Sequence, residues 1–140
     1  MTLSNLHIRS LSSLTILIFG VLALTLGLIG LIRPETTLSL LQFEILNRAE
    51  RVNGDFTVVF LTASSMASFN MGVYYVLAVL NNVWQFYVWT VPFRVVTFIV
   101  FVLAVVRGLA PLGFVGVAVW ELVGALLTGT ALWYERRKVG

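Results

Sequence analysis

Residues 57–106 read TVVFLTASSMASFNMGVYYVLAVL, then NN, then VWQFYVWTVPFRVVTFIVFVLAVV, so that two long apolar runs are separated by a pair of asparagines. Each run exceeds the roughly 20 apolar residues that an α-helix needs to cross the hydrocarbon core of a bilayer. A helix satisfies its own backbone hydrogen bonds in lipid, so both runs are predicted to be helical. The two asparagines leave room only for a tight turn. The stretch therefore predicts an antiparallel transmembrane hairpin with spans over 57–80 and 83–106.

Two further apolar runs, residues 11–32 and 112–134, flank this hairpin. Of the 140 residues, 59% are hydrophobic and 11% are charged, whereas soluble domains carry about 25% charged residues. The first run is longer than the roughly 7–15 residues of a signal-peptide core, and we expect it to be a retained span. The sequence predicts an all-α fold, an integral membrane four-helix bundle that forms one domain over residues 1–140.

The connection between the first two spans is long enough to hold a further element. After Pro34, apolar residues recur at helical spacing, and charged or amide side chains fill the remaining faces. This pattern predicts an interfacial amphipathic helix over about 36–52, lying along the membrane surface. Its apolar face is predicted to contain Leu38, Leu41, Ile45, Leu46, Ala49 and Val52.

The formal net charge is +3, and the basic residues are scattered except for the cluster Arg136, Arg137 and Lys138. A nucleic-acid partner would need a basic patch, so we expect none. Four spans place both termini on one side of the membrane, and Lys and Arg are almost equally numerous on the two sides. The clustered cations favour cytoplasmic termini, with the lipid bilayer as the first partner.

Small residues recur at four-residue spacing on three of the predicted spans. Rows of this kind let helices pack closely in lipid, where no water drives their association. We expect packing within one chain, and a homodimer or a larger membrane complex is the alternative that the same rows support. The rows consist of Ala23 and Gly27, of Ser64, Ser68 and Gly72, and of Ala125 and Gly129.

Three strongly polar side chains interrupt the spans near the middle of the membrane. At 1.5 Å per residue, Arg94 lies about 18 Å and Glu121 about 13–14 Å from the same membrane face. Asn70 lies about 19–20 Å from that face. An unpaired charge at the bilayer centre costs roughly 2.5–3.5 kcal/mol on the insertion scale. Arg94 and Glu121 are therefore predicted to pair, with Asn70 able to bridge them.

Further polar side chains share helix faces with these three residues. Facing inward, they would form a polar pocket at mid-depth, walled by aromatic rings. Because ionisable residues inside a membrane are functional by default, Glu121 and Arg94 are the predicted catalytic residues. The residues predicted to bind a ligand beside them are Asn70, Tyr74, Tyr87, Thr90, Thr97, Trp120 and Thr128. A pair that merely fixes the helix register is the structural alternative.

The composition excludes several kinds of chemistry. The chain has no cysteine and a single histidine, His7, which precedes the first span. Disulfides, thiolate metal sites and paired-histidine ligation inside the membrane are therefore excluded for this chain, and we expect neither a metal nor a cofactor. Glu121 could donate a proton to a lipophilic substrate if it is protonated, or accept one if it is ionised. Both alternatives fit a cofactor-independent isomerisation or cyclisation.

The order of these features resembles the DoxX-like group of small four-span membrane proteins. The resemblance rests on LIRPETTLSLL at 31–41, RVNGDF at 51–56, NMGVYYVLAVL at 70–80, an arginine-bearing third span, and WELVGALLTGTAL at 120–132. It covers nearly the whole chain as a pattern rather than as a sharp motif. It implies the fold and the topology, and it assigns no catalytic role to any residue.

Two functions follow from these features. The first is a small membrane protein with a mid-membrane pocket for a lipophilic ligand, acting as an isomerase or cyclase through Glu121. The second is a non-catalytic accessory subunit that docks on a larger membrane complex. A channel or transporter is less favoured, because four spans leave little room for a pore and no inverted repeat is visible.

Overall fold

The computed structural model describes residues 10–45 and 52–139. This part of the chain forms five α-helices: α1 (Leu11–Ile32), α2 (Pro34–Leu40), α3 (Thr57–Leu80), α4 (Trp84–Val106) and α5 (Phe114–Val139). Of these, α1, α3, α4 and α5 are long and apolar enough to cross a membrane. The prediction of an all-α, multi-pass membrane protein is confirmed, and α5 begins at Phe114 rather than at residue 112.

The predicted helix between the first two spans exists but is shorter than the range 36–52. It begins at Pro34 and ends at Leu40, and residues 43–45 are not helical. Gln42 takes a left-handed backbone conformation with φ 59°. The Phe43 amide donates to the Leu38 carbonyl, and the Gln42 amide donates to the Ser39 carbonyl. This hydrogen-bond pattern closes a helix C-terminus, and residues 46–51 lie outside the described residues.

The same closing pattern ends α3 and α4. Asn82 after α3 has φ 52°, and Gly108 after α4 has φ 70°. The amide that follows each of them donates back to a carbonyl in the last helical turn. Asparagine and glycine are the residues that tolerate this conformation most readily. The predicted tight turn at Asn81 and Asn82 is therefore present, and it sends α4 back antiparallel to α3.

The long helices are arranged so that α1 packs along α3, α5 packs along α4, and α1 also contacts α5. In the described part of the chain, α3 and α4 make few backbone contacts, although they follow each other in sequence. Next to their shared turn the rings of Tyr75 and Phe86 lie 5.4 Å apart, and the Tyr87 hydroxyl donates to the Ala78 carbonyl at 3.3 Å. Away from the turn α3 and α4 diverge.

Glycines allow α1 and α3 to pack with their backbones close together. A Cβ atom added at Gly27 would lie 2.8 Å from both the Phe69 Cα atom and the Ser65 carbonyl oxygen. At Gly72 it would lie 2.7 Å from the Gly20 carbonyl oxygen. The sequence predicts that the small residues of these two helices allow close packing within one chain. This prediction is confirmed at Gly27 of α1 and Gly72 of α3.

Polar contacts join the start of α1 to the end of α5. The backbone amide of Ser12 donates to Glu135 at 2.8 Å, and the Ser12 hydroxyl donates to the other oxygen of the same carboxylate at 2.6 Å. One turn further into α1, the hydroxyls of Thr15 and Thr128 lie 3.0 Å apart. The carboxylate also lies at the positive end of the α1 dipole, where a negative charge is stabilised.

Candidate functional site

A cavity of about 560 Å³ lies among the four long helices. Such a volume is within the range of roughly 300–1,000 Å³ that is usual for small-molecule sites. Most of its wall is aliphatic or aromatic, and the charged groups that line it are Arg94 from α4 and Glu121 from α5. The divergence of α3 from α4 creates the space, and α1 forms the wall behind it.

Some residues that line the cavity are also exposed on the outside of the bundle, and we infer that the cavity opens at its side, between α3 and α4. Phe93 and Trp89 line it, and yet 71% of Phe93 and 60% of Trp89 are exposed on the outer surface of α4. Met71 of α3 also lines the cavity, and 40% of this residue is exposed. Because these helices span the membrane, the outer surface between α3 and α4 faces lipid.

Arg94 is the buried polar residue at the centre of the site, with only 4% of the residue exposed. Its guanidinium carbon lies 3.9 Å from the centre of the Phe19 ring and 5.2 Å from that of Tyr75. Aromatic faces attract cations within about 6 Å, so both rings stabilise the charge. Gly124 provides the space on the α5 side, because a Cβ atom there would collide with Nη1 of Arg94.

Glu121 is the acidic neighbour of Arg94, but the two side chains form no direct hydrogen bond. Its Oε2 atom lies 3.9 Å from Nε of Arg94, whereas N–H···O hydrogen bonds are about 2.7–3.2 Å long. Nε and Nη1 of Arg94 are buried and have no hydrogen-bond partner among the described residues. An arginine stays protonated and offers only donors, so these two groups leave hydrogen-bonding capacity unused beside the cavity.

Five of the predicted site residues are brought together by the structure. Arg94 and Glu121 face each other, and Thr90, Thr97 and Trp120 line the same cavity. The two threonine hydroxyls donate to carbonyls of their own helix, Thr90 to Tyr87 at 2.8 Å and Thr97 to Phe93 at 3.0 Å. These two hydroxyls are therefore already hydrogen-bonded, whereas Nε and Nη1 of Arg94 are not.

Four predicted residues are not part of the cavity wall. Tyr74 is exposed on the outside of α3, and Asn70 is half-buried on a different face from that of Ser68, Met71 and Tyr75, which do line the cavity. Tyr87 and Thr128 are buried elsewhere in the bundle, where their hydroxyls contact the Ala78 carbonyl and the Thr15 hydroxyl. Residue counts predict the depth of a side chain in the membrane. Depth alone does not determine which neighbouring helix the side chain faces.

Several residues of the site have no counterpart in the sequence-based prediction. Phe19, Ser68 and Tyr75 line the cavity, and Phe19 also packs on Trp120 with ring centres 4.5 Å apart. A phenylalanine in an apolar run gives no signal of its own.

The arrangement offers a permanent donor cation and a carboxylate side by side in an apolar cavity. It can hold an oxygen atom of a bound molecule, and the carboxylate can exchange a proton with that molecule. In residues 10–45 and 52–139, no three side chains of the types that bind metals lie close enough together to hold an ion.

Comparison with protein-family models finds no match, and comparisons with curated proteins and with solved structures find none either. The resemblance to the DoxX-like group consequently stays a prediction from the sequence. The helices themselves establish a small multi-span membrane protein in contact with the lipid bilayer.

Proposed function

We propose that the protein binds a lipophilic molecule in the cavity and acts on its polar group with Arg94 and Glu121. One observation carries the proposal. The buried guanidinium of Arg94, two of whose nitrogen atoms have no hydrogen-bond partner among the described residues, borders the cavity. Unpaired buried donors are costly, more so on a charged group, and an acceptor on a bound molecule would remove that cost.

The walls of the cavity support a ligand that comes from the bilayer. Its aromatic and aliphatic side chains match an apolar body, and the side opening between α3 and α4 lies where lipid surrounds the helices. A water-soluble substrate would have to cross apolar surface to reach Arg94. Arg94 and Glu121 would then orient the polar group of the ligand, while Phe19 and Trp120 would pack on its body.

The proposed reaction is a cofactor-independent isomerisation or cyclisation of this ligand. Glu121 accepts a proton from one atom of the substrate and returns it to another, which regenerates the carboxylate, and Arg94 stabilises the negative charge that develops on an oxygen of the substrate in between. The competing function is a non-catalytic accessory subunit of a larger membrane complex, in which the Arg94–Glu121 pair serves only to hold α4 against α5. The DoxX-like resemblance supports the topology of either function and separates neither from the other.

Native mass spectrometry of protein purified from its own membranes in mild detergent tests the proposal. The wild type is compared with Glu121→Gln and with the matched control Glu135→Gln, which alters the carboxylate that binds Ser12 outside the cavity. We expect a small lipophilic molecule on the wild type and on the control, and a much smaller ligand-bound fraction of a still-folded Glu121→Gln variant.

Two results would contradict the proposal. One is a ligand-free wild-type protein that is carried on a larger partner or as a homodimer, which would favour the accessory function. The other is a ligand that Glu121→Gln and Glu135→Gln retain equally. Thermal unfolding of each variant in the same detergent shows whether the loss of ligand is a loss of fold.

A further inference from the structure

We propose that the cavity selects a neutral lipid alcohol, whose hydroxyl group bridges Arg94 and Glu121. This inference rests on the proposed function and names the chemical class of the ligand. It follows from three features of the site: the separation of the two charged groups, their opposite charges, and the apolar wall that leads from them to the opening between α3 and α4.

The separation of the charged groups fits a single bridging oxygen. Nε of Arg94 and Oε2 of Glu121 are 3.9 Å apart, too far for a direct hydrogen bond and close enough for one oxygen atom to contact both. Arg94 needs an acceptor, and an ionised Glu121 needs a donor. A hydroxyl group is both at once, because its oxygen accepts while its O–H donates. A ketone or an ether satisfies only the arginine.

The charges disfavour an anionic ligand. Arg94 and Glu121 together carry no net charge when both are ionised, so the site is already neutral without the ligand. A carboxylate or phosphate bound to Arg94 would lie within a few Å of the Glu121 carboxylate, and like charges repel strongly where water is scarce. An ionised pair that fits a neutral alcohol therefore disfavours a fatty acid or a phospholipid head group.

The apolar wall determines where the rest of the molecule lies. Phe19 and Trp120 form a ring pair beside Arg94, and Trp89 and Phe93 continue the wall to the outer surface of α4. An alkyl or isoprenoid chain can follow this wall while its hydroxyl group stays at mid-depth. The cavity thus fits a single-chain molecule that enters the opening with its tail in contact with the bilayer.

A series of four probes with the same C16 chain tests the inference. The probes are hexadecanol, its methyl ether, palmitic acid and hexadecane, each titrated into delipidated protein in one detergent and quantified as bound complex by native mass spectrometry. We expect hexadecanol to bind the wild type at least about tenfold more tightly than each of the other three, since it alone satisfies both groups. The methyl ether, which keeps the acceptor for Arg94, should rank second.

Two variants test separately the hydrogen bond to Glu121 and the hydrogen bond to Arg94. Glu121→Leu removes the acceptor, and we expect the preference for the alcohol over its ether to fall to about one. Arg94→Met removes the donors, and both probes should then bind no better than the alkane. Glu135→Gln serves as the control and should keep the wild-type ranking. Each probe partitions into the detergent micelle to the same extent for every variant. This partitioning therefore cancels when the affinities of one probe for two variants are divided.

The outcomes distinguish this inference from the proposed function. Tightest binding of palmitic acid, or equal binding of alcohol and ether to the wild type, would overturn the alcohol while leaving a ligand cavity in place. Absence of binding by all four probes would contradict the cavity as a lipid site and with it the proposed function. The wild-type series alone decides the first question, so the inference stays testable if a variant does not fold.

Discussion

Arg94 is tolerated in the middle of an apolar helix because three neighbouring residues offset part of the free-energy cost of burying a cation. Glu121 supplies the opposite charge at 3.9 Å, Phe19 offers its ring face, and Gly124 leaves the room for Nη1. Two of its nitrogen atoms nevertheless have no hydrogen-bond partner among the described residues. A residue placed only to fasten two helices would be expected to use its donors on those helices.

The space at Gly124 gives a direct prediction at the scale of single residues. In Gly124→Ala the added methyl group meets Nη1 of Arg94 and the Phe19 ring, whose Cζ atom would lie only 2.6 Å away. Overpacking of this kind costs about 1–3 kcal/mol. We expect a lower free energy of unfolding, by about that amount, in SDS titrations followed by circular dichroism.

Gly116→Ala is the matched control on the same helix. A Cβ atom at Gly116 would have no described atom within 4 Å, and alanine favours a helix over glycine by about 1 kcal/mol. This variant should be neutral or slightly more stable than the wild type. Equal effects of the two substitutions would show that Arg94 and Phe19 are not packed against α5 as described.

The sequence allows the Arg94–Glu121 pair to be predicted, because both residues are charged and residue counting places them at similar depths. Asn70 satisfies the same count and is still absent from the cavity wall. Counting gives the height of a side chain along the membrane normal, but its direction depends on how each helix rotates against its neighbours. For α3 that rotation is set by the close contact with α1, which follows from the whole packing.

At the scale of helices, the interface between α1 and α3 depends on glycine. Backbone atoms of Ser65 and Phe69 would lie within 3 Å of a Cβ atom at Gly27, and they cannot move aside as a flexible side chain can. Gly27→Ala should force the two helices apart and lower the free energy of unfolding by about 1–3 kcal/mol. SDS titration measures this change.

Gly129→Ala is the comparison for this interface. The nearest described atom to its added methyl group would be Cγ1 of Val91 at 3.5 Å, an ordinary contact. We expect little change or a small stabilisation. The α1–α3 packing would be refuted by a Gly27→Ala protein as stable as Gly129→Ala.

The contact between α1 and α5 gives another prediction for these elements. Ser12 is fully buried and donates both its amide and its hydroxyl to Glu135. Because hydrogen bonds to charged groups contribute about 1.5–3 kcal/mol, Ser12→Ala should destabilise the bundle by roughly that amount. Thermal unfolding in detergent tests it. Thr25→Ala is the control, since the Thr25 hydroxyl donates to the carbonyl of Val21 in its own helix, and an equal loss in both variants would speak against the contact.

The four long helices can be predicted from the sequence, whereas the end of α2 cannot. Length and apolar composition determine the four long helices, because a membrane span needs about 20 apolar residues and little else. The periodicity beyond Leu40 continues, yet the chain leaves the helix at Gln42, which takes a positive φ. The Gln42 side chain packs against Gly113 before α5. A contact between residues so far apart in sequence overrides the local pattern.

At the scale of the whole molecule, the order in which the helices pack decides where a ligand can bind. The hairpin of α3 and α4 is predicted from the tight turn at Asn81 and Asn82. The hairpin is present, but α1 and α5 take up most of the packing surface, so that α3 and α4 diverge from their turn. The side opening of the cavity is a consequence of this order, which no single stretch of the sequence encodes.

We propose that both termini lie in the cytoplasm. At the end of α5, the cations of Arg136, Arg137 and Lys138 lie over the rings of Trp84, Trp133 and Tyr134, at 4.9, 3.8 and 4.6 Å from the ring centres. Aromatic rings and basic side chains together are typical of the membrane interface, and clustered cations are retained on the cytoplasmic side.

The cysteine-free chain allows this orientation to be tested with single cysteines. Lys138→Cys at the end of α5 and Asn53→Cys before α3 are treated in intact cells with a maleimide that cannot cross membranes. We expect Asn53→Cys to react and Lys138→Cys to react only after the membrane is opened. The reverse pattern would place the termini outside, and reaction of both in intact cells would contradict the three membrane crossings, α3, α4 and α5, between the two positions.

Photolabelling with a diazirine-bearing long-chain alcohol tests most directly whether the cavity holds a lipid. After irradiation in membranes, labelled peptides are located by mass spectrometry with and without excess hexadecanol. If the cavity is a ligand site, label will appear on Phe19, which is buried in the bundle, and on Trp120, and excess alcohol will remove it. Label confined to outward residues such as Phe60 and Val106, with no protection by the alcohol, would show that lipid surrounds the bundle without entering it.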